Sequence, residues 1–185
     1  MCLCFKKKFL FIILIGGLIL IFIQFFCFSF GFLINYTNSF PIGIYKIIED
    51  CRFKKLCFFK KKDLVFFCPP DLPIFEMAKK RNYIDSAKCP ANKMLKKIAA
   101  IEGDVVTISA NGIYVNGKFI PKSIPRKFDF SNNEMPKIML YNYMLSKGEI
   151  LFISDHSDSS FDGRYFGILH KPLILYKVKP LITWN

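Results

Sequence analysis

The chain has 185 residues, 52% of them hydrophobic, with 22 phenylalanines and a formal net charge of +13. That length suits one medium domain plus a short additional segment. The charge invites nucleic acid, but Lys54, Lys55 and Lys60 to Lys62 alternate with Phe and Leu, and no nucleic-acid module pattern accompanies them. Attraction to anionic lipid headgroups explains these lysines more simply, and a lysine-rich background composition explains them as well.

From Phe9 to Ile34 run 26 residues without a charge, beyond the roughly 20 that cross the hydrocarbon core of a bilayer. The run predicts one transmembrane helix. A signal peptide would have an apolar core of about 7–15 residues and a small-x-small cleavage site after it. No such site precedes Thr37, so the segment reads as an uncleaved anchor. Lys6, Lys7 and Lys8 stand before it, and the positive-inside rule then keeps the N-terminus in the cytoplasm. The expected organisation is a basic N-terminus at 1–8, an anchor at 9–34 and an exported domain at 35–185. The exported part is long enough for one core of its own.

Within that domain most local signals are β. "FEMAKKRNYI" (75–84) is the one plausible helix. "DVVTIS" (104–109) and "GIYVNGKFI" (112–120) read as strands, with Asn116-Gly117 as a two-residue hairpin turn. "EILFIS" (149–154), "YFGIL" (165–169) and "LILYKV" (173–178) read as further short strands. The expected fold is therefore mainly β. Of seven cysteines, Cys51, Cys57, Cys68 and Cys89 fall on the exported side, where disulfides persist and four cysteines allow three pairings. None shows a Cys-x-x-Cys spacing, which argues against a zinc or redox site.

Three stretches carry reactive groups. Thr37, Ser39, Pro41 and Gly43 follow the apolar segment; Lys96 and Lys97 open a strand-like apolar run; and "SDHSDSSFDGRYFG" (154–167) is dense in hydroxyls and carboxylates. The two histidines, His156 and His170, make a poor basis for a Ser-His-Asp triad or a metal site, because the aspartates nearest His156 are its sequence neighbours. A lysine can replace histidine as the base if burial keeps it neutral, since a low-dielectric site disfavours the ammonium. Lys96, between Met94-Leu95 and Ile98-Ala99-Ala100-Ile101, has such surroundings.

"NYTNSFPIGIY" (35–45) resembles the serine box of the signal peptidase superfamily in its TraF-like, conjugative-transfer form. "LKKIAAIEGDVV" (95–106) is similar to the lysine box and "SSFDGRYFG" (159–167) to the last box, while "VFFCPP" and "SAKCP" resemble the TraF pattern of paired cysteines. The order and spacing match along most of residues 30–170. The resemblance implies a coiled, mostly antiparallel β-sheet domain behind a single anchor. It implies Ser39 as nucleophile, Lys96 as general base with Lys97 as the other choice, and Ser160 and Asp162 orienting and polarising the lysine. Arg164 would support that carboxylate, and Thr37 would join the Ser39 N–H in an oxyanion hole. It favours Cys68 with Cys89 as a disulfide, with Cys51 and Cys57 as a second pair. Pro41 and Gly43 would fix the turn that presents Ser39. Three departures stand out: Glu102 replaces a proline, Lys97 an arginine and Gly163 a serine.

The implied activity is a membrane-anchored serine endopeptidase in the bacterial inner membrane, with its catalytic domain in the periplasm and no metal or cofactor. Its expected partners are the lipid bilayer and a membrane-tethered precursor, first a pilin of a conjugation apparatus, whose trimmed ends some family members join into a circle. A type I signal peptidase acting on secretory preproteins is the runner-up. A non-catalytic anchored scaffold is the reading of another class, which covalent labelling of Ser39 would discriminate. Asn35-Tyr36-Thr37 also matches a glycosylation sequon, discounted so close to the bilayer and in a bacterial family.

Overall fold

The computed structural model describes residues 11, 13–19, 21–22, 30–53, 57–170 and 172–184. The described residues of the apolar N-terminal segment up to Phe22 are helical, and among the described residues no helix is long and apolar enough to cross a membrane. The rest of the expected anchor up to residue 29 lies largely outside the described residues. Its last three residues, 32–34, are strand, because Phe32, Leu33 and Ile34 pair with Lys46, Tyr45 and Ile44.

Among the described residues from Phe30 on, eleven strands and two short helices follow one another: β1 (Phe32–Asn35), β2 (Ile42–Asp50), β3 (Leu64–Cys68), α1 (Pro73–Lys80), β4 (Met94–Ala100), β5 (Val105–Ser109), β6 (Gly112–Val115), β7 (Lys118–Phe119), β8 (Leu140–Met144), β9 (Glu149–Ile153), α2 (Gly163–Phe166), β10 (Ile168–His170) and β11 (Leu173–Trp184). They build a seven-stranded sheet in the order β1-β2-β11-β3-β4-β9-β10 and a four-stranded sheet in the order β7-β6-β5-β8. All described pairings are antiparallel. The mainly β expectation holds.

Alternation along β3 and β4 sets which side chains share a face. Val65, Phe67, Met94 and Ile98 enter one core with Phe75, Phe152 and Phe161, where Phe67 stacks on Phe152 at 4.3 Å. Phe66 and Leu95 enter a second core on the other face with Phe40, Tyr45 and Tyr176. A third core joins the two sheets through Ala100, Val106, Ile113 and Leu151.

The Asn116-Gly117 hairpin forms between β6 and β7, both residues having positive φ (51° and 74°) as the two-residue turn demands. Three expectations need correction. The helix ends at Lys80, short of Ile84, because Asn82 turns left-handed at φ 57°. "YFGIL" is not one strand: Asp162 caps a helical turn over Gly163–Phe166, and β10 starts only at Ile168. Gly43 is not part of the Ser39 turn. It lies inside β2, where a Cβ would come within 2.2 Å of the Ile182 carbonyl on β11.

Candidate active site

Ser39 sits on the loop between β1 and β2, and Asn35 at the end of β1 shapes that loop. Asn35 is only 3% exposed, and its amide nitrogen reaches the carbonyls of Thr37, Phe40 and Pro41 at 3.0–3.1 Å. Its Oδ1 accepts from the Thr37 N–H at 3.2 Å and the Thr37 hydroxyl at 2.8 Å. Tyr45 donates to the Pro41 carbonyl at 2.7 Å, and Phe40 is buried beneath the turn. One buried carboxamide thus holds the turn, with the Pro41 carbonyl among its anchors and Gly43 taking no part, and the burial of Asn35 is incompatible with a glycan.

Lys96 projects from β4 on the same face as Met94 and Ile98 and is 2% exposed. Its Nζ lies 2.9 Å from Ser39 Oγ and 3.0 Å from Ser160 Oγ, and Ser160 Oγ lies 3.1 Å from Ser39 Oγ, closing a triangle. Burial lowers its pKa from 10.5 to about 8; the negative field of Asp162 opposes the shift and the charge of Arg164 adds to it. Lys97 points the other way, as the next residue of a strand must. Its Nζ meets both carboxylate oxygens of Asp155 at 2.6 Å and the Phe40 ring at 5.9 Å.

Asp162 and Arg164 form a fully buried ion pair at 2.7 Å, with a second contact from Nε at 2.8 Å. Asp162 makes no hydrogen bond to Lys96 among the described residues, and acts on it through its field alone. The Arg164 guanidinium also donates to the carbonyls of Lys122, Ser157, Asp158 and Ser160, so it pins the segment that presents the Ser160 hydroxyl. Gly163 has a plain reason: a Cβ there would stand 2.6 Å from the Phe152 carbonyl.

Two positioning residues were not singled out from sequence. Asn35 is one. Ser154, with no exposed surface, is the other: its hydroxyl donates to the Ser39 carbonyl and accepts from the Ser157 N–H, while its own N–H donates to Asp162 at 2.8 Å. It therefore ties the buried ion pair to the Ser39 backbone. Asn35 had a signal, a polar residue at the edge of an apolar run; Ser154 had none among many neighbouring hydroxyls.

The Thr37 hydroxyl hydrogen is directed to Asn35, whereas the Ser39 N–H makes no hydrogen bond among the described residues. Neither His156 nor His170 bonds to Ser39; the His156 ring stacks on Phe40 at 6.4 Å. Cys51 pairs with Cys57, and Cys68 pairs with Cys89. The donor atoms of Glu49, Cys51 and Cys57 cluster, but bridged sulfurs offer no thiolate to a metal.

Residues 6–183 match the family model described as signal peptidase, peptidase S26. The chain belongs to the signal peptidase S26 family. Relatives include a plasmid transfer protein TraF of Escherichia coli, 38% identical over 156 residues that make up 83% of this chain and 84% of that protein. A conjugal transfer protein TraF of Agrobacterium tumefaciens is 29% identical over 161 residues, 84% of each chain. A crystal structure of a signal peptidase I from Enterococcus faecalis aligns at a TM-score of 0.36 and 15% identity, covering 68% of this chain and all of that one. At the level of the family, the chain is a serine peptidase. In this member of the S26 family the serine, the buried lysine and the Asp-Arg pair converge from three separate stretches of chain.

Proposed function

We propose that the chain is a membrane-anchored serine endopeptidase that uses Ser39 and Lys96 to process a membrane-tethered precursor, a conjugative pilin first of all. The observation that carries this reading is the 2.9 Å contact between the Ser39 hydroxyl and a fully buried lysine whose pKa is about 8. Roughly one Lys96 in ten is then neutral at pH 7, about 300-fold more than for an ordinary lysine.

In the neutral form the contact runs from the Ser39 O–H to the Nζ lone pair. Ser39 Oγ attacks the peptide carbonyl, forming a C–O bond as its proton passes to Lys96. The Ser39 N–H, which makes no hydrogen bond among the described residues, would donate to the developing oxyanion, and a rotation of the Thr37 hydroxyl away from Asn35 would add a second donor. The tetrahedral adduct collapses, the C–N bond breaks and Lys96 returns the proton to the leaving amine. Lys96 then takes a proton from water as the water oxygen bonds to the acyl carbon; the bond from that carbon to Ser39 Oγ breaks, and Lys96 returns the proton to Ser39 Oγ. Ser160 holds Nζ in line throughout.

The plasmid-transfer and conjugal-transfer names of the TraF relatives support a role in conjugation, and a pilin precursor is the substrate that such a role suggests over secretory preproteins. Closeness of Ser39 to the apolar segment suits substrates held in the same membrane plane, on the periplasmic side of the inner membrane. Ser39→Ala and Lys96→Ala should each abolish precursor processing and the labelling of Ser39 by an acylating inhibitor, while Lys97→Ala retains both. Cleavage surviving in both alanine variants would sink the dyad; loss of general secretion with intact pilus assembly on depletion would sink the pilin.

A further inference from the structure

Ser39 opens on two depressions of unlike chemistry. One, of 200 Å3, is walled by Phe128, Phe130, Met135 and Arg126. The other, of 450 Å3, runs past Asn82, Asp85, Asn92 and Lys93 and along β4 to Lys96. Both are lined by Thr37, Ser39, Tyr83 and Phe161. Thr37 and Ser39 belong to the serine loop and Phe161 to the core, whereas Tyr83 arrives from the insertion between β3 and β4 that the Cys68–Cys89 disulfide closes.

We propose that Tyr83 is a specificity-determining residue: its ring partitions the two depressions beside Ser39 and limits the bulk of the substrate side chains that flank the scissile bond. The proposal rests on Ser39 being the nucleophile, as read above. A carbonyl that reaches Ser39 Oγ brings its two flanking side chains to the rim where Tyr83 stands, so the phenol ring competes with them for space. Substrates with small residues at that junction are therefore preferred.

The ring is held from three sides. Its hydroxyl donates to Asp129 Oδ2 at 2.5 Å and lies 3.3 Å from Met135 Sδ, and its face packs against Phe161 at 5.4 Å. Arg81 ties the same two segments by donating to the Glu134 carbonyl at 2.9 Å. Asp129 is itself fixed, accepting from the N–H groups of Ser131 and Asn133 and from the Asn133 side chain. Swinging Tyr83 aside for a larger side chain would break the Asp129 bond and its packing on Phe161 together.

The test uses the full chain in detergent micelles and internally quenched peptides with an Ala-Ala junction, in which Leu or Phe replaces either alanine. Wild type should favour the Ala-Ala peptide. Tyr83→Ala should raise kcat/KM for a Leu or Phe peptide relative to Ala-Ala by about tenfold or more, the scale on which apolar pockets discriminate size. Tyr83→Phe keeps the ring and should keep the preference. Tyr83→Leu, which preserves apolar packing on Phe161, should shift it partway and serves if the alanine variant does not fold. Labelling of Ser39 by an acylating inhibitor is followed in the same samples. Variants that label at Ser39 yet keep the wild-type preference overturn the partition and leave the peptidase reading standing. A wild-type protein that does not label overturns that reading, and the partition with it.

Discussion

Replacing Lys96 by methionine should abolish proton transfer and yet make the protein more stable at neutral pH. Lys96 is 2% exposed, and burial lowers its pKa from 10.5 to about 8. That difference corresponds to about 3 kcal/mol against burying the ammonium. Below pH 8 both the folded and the unfolded chain carry the proton, so the whole penalty is present. Between pH 8 and 10.5 the unfolded chain binds a proton that the folded one has released, and stability rises with pH. Above 10.5 neither state is charged and the penalty is gone.

Methionine has a similar length and suits the face it would share with Met94 and Ile98. It loses the two Nζ hydrogen bonds, but Ser39 Oγ and Ser160 Oγ still reach each other at 3.1 Å. Those lost bonds cost roughly 1–2 kcal/mol together. The variant should therefore be more stable than wild type by about 1–2 kcal/mol at pH 7 and less stable by a similar amount near pH 10.5. Urea unfolding of both proteins in the same detergent at the two pH values reads this directly. A variant destabilised equally at both would refute the idea that Lys96 is folded in against an ionisation penalty.

The same lowering predicts that acylation of Ser39 rises about tenfold per pH unit and levels off near pH 8, where Lys96 becomes neutral; inhibitor-labelling rates across pH 6–10 would show a profile without that plateau if another group were the base. Ser154→Ala should slow acylation on the order of tenfold, since the Ser39 carbonyl and the Ser157 N–H lose their partner, at a stability cost of about 1–2 kcal/mol. Its pH inflection should stay where it is, because the contacts of Lys96 are untouched; a moved inflection would show that Ser154 acts on the lysine instead of on the serine backbone.

Much of the site was legible because its parts lie in short stretches with local character. The Asn116-Gly117 turn and the alternating runs of β5 and β6 announce themselves through backbone and side-chain period. Harder elements lacked such a signal. β3 is a continuous apolar run, and β8 is an exposed edge of Tyr, Asn and Met that hardly alternates. The turn of α2 was hidden because a single buried carboxylate, Asp162, decides it.

By itself the sequence determined that an apolar segment precedes a β domain, that a serine follows that segment closely, and that two adjacent lysines open an apolar strand. Only the tertiary structure decided which of those lysines meets Ser39. Pairing of Val65 with Lys96 and of Ile153 with Lys97 sends successive side chains to opposite faces, one to Ser39 and the other to Asp155. A register slip of one residue would exchange them. The lowered pKa likewise belongs to no segment, because it arises from burial among β4, the serine loop and the Asp162–Arg164 pair, which meet only once the sheet has closed.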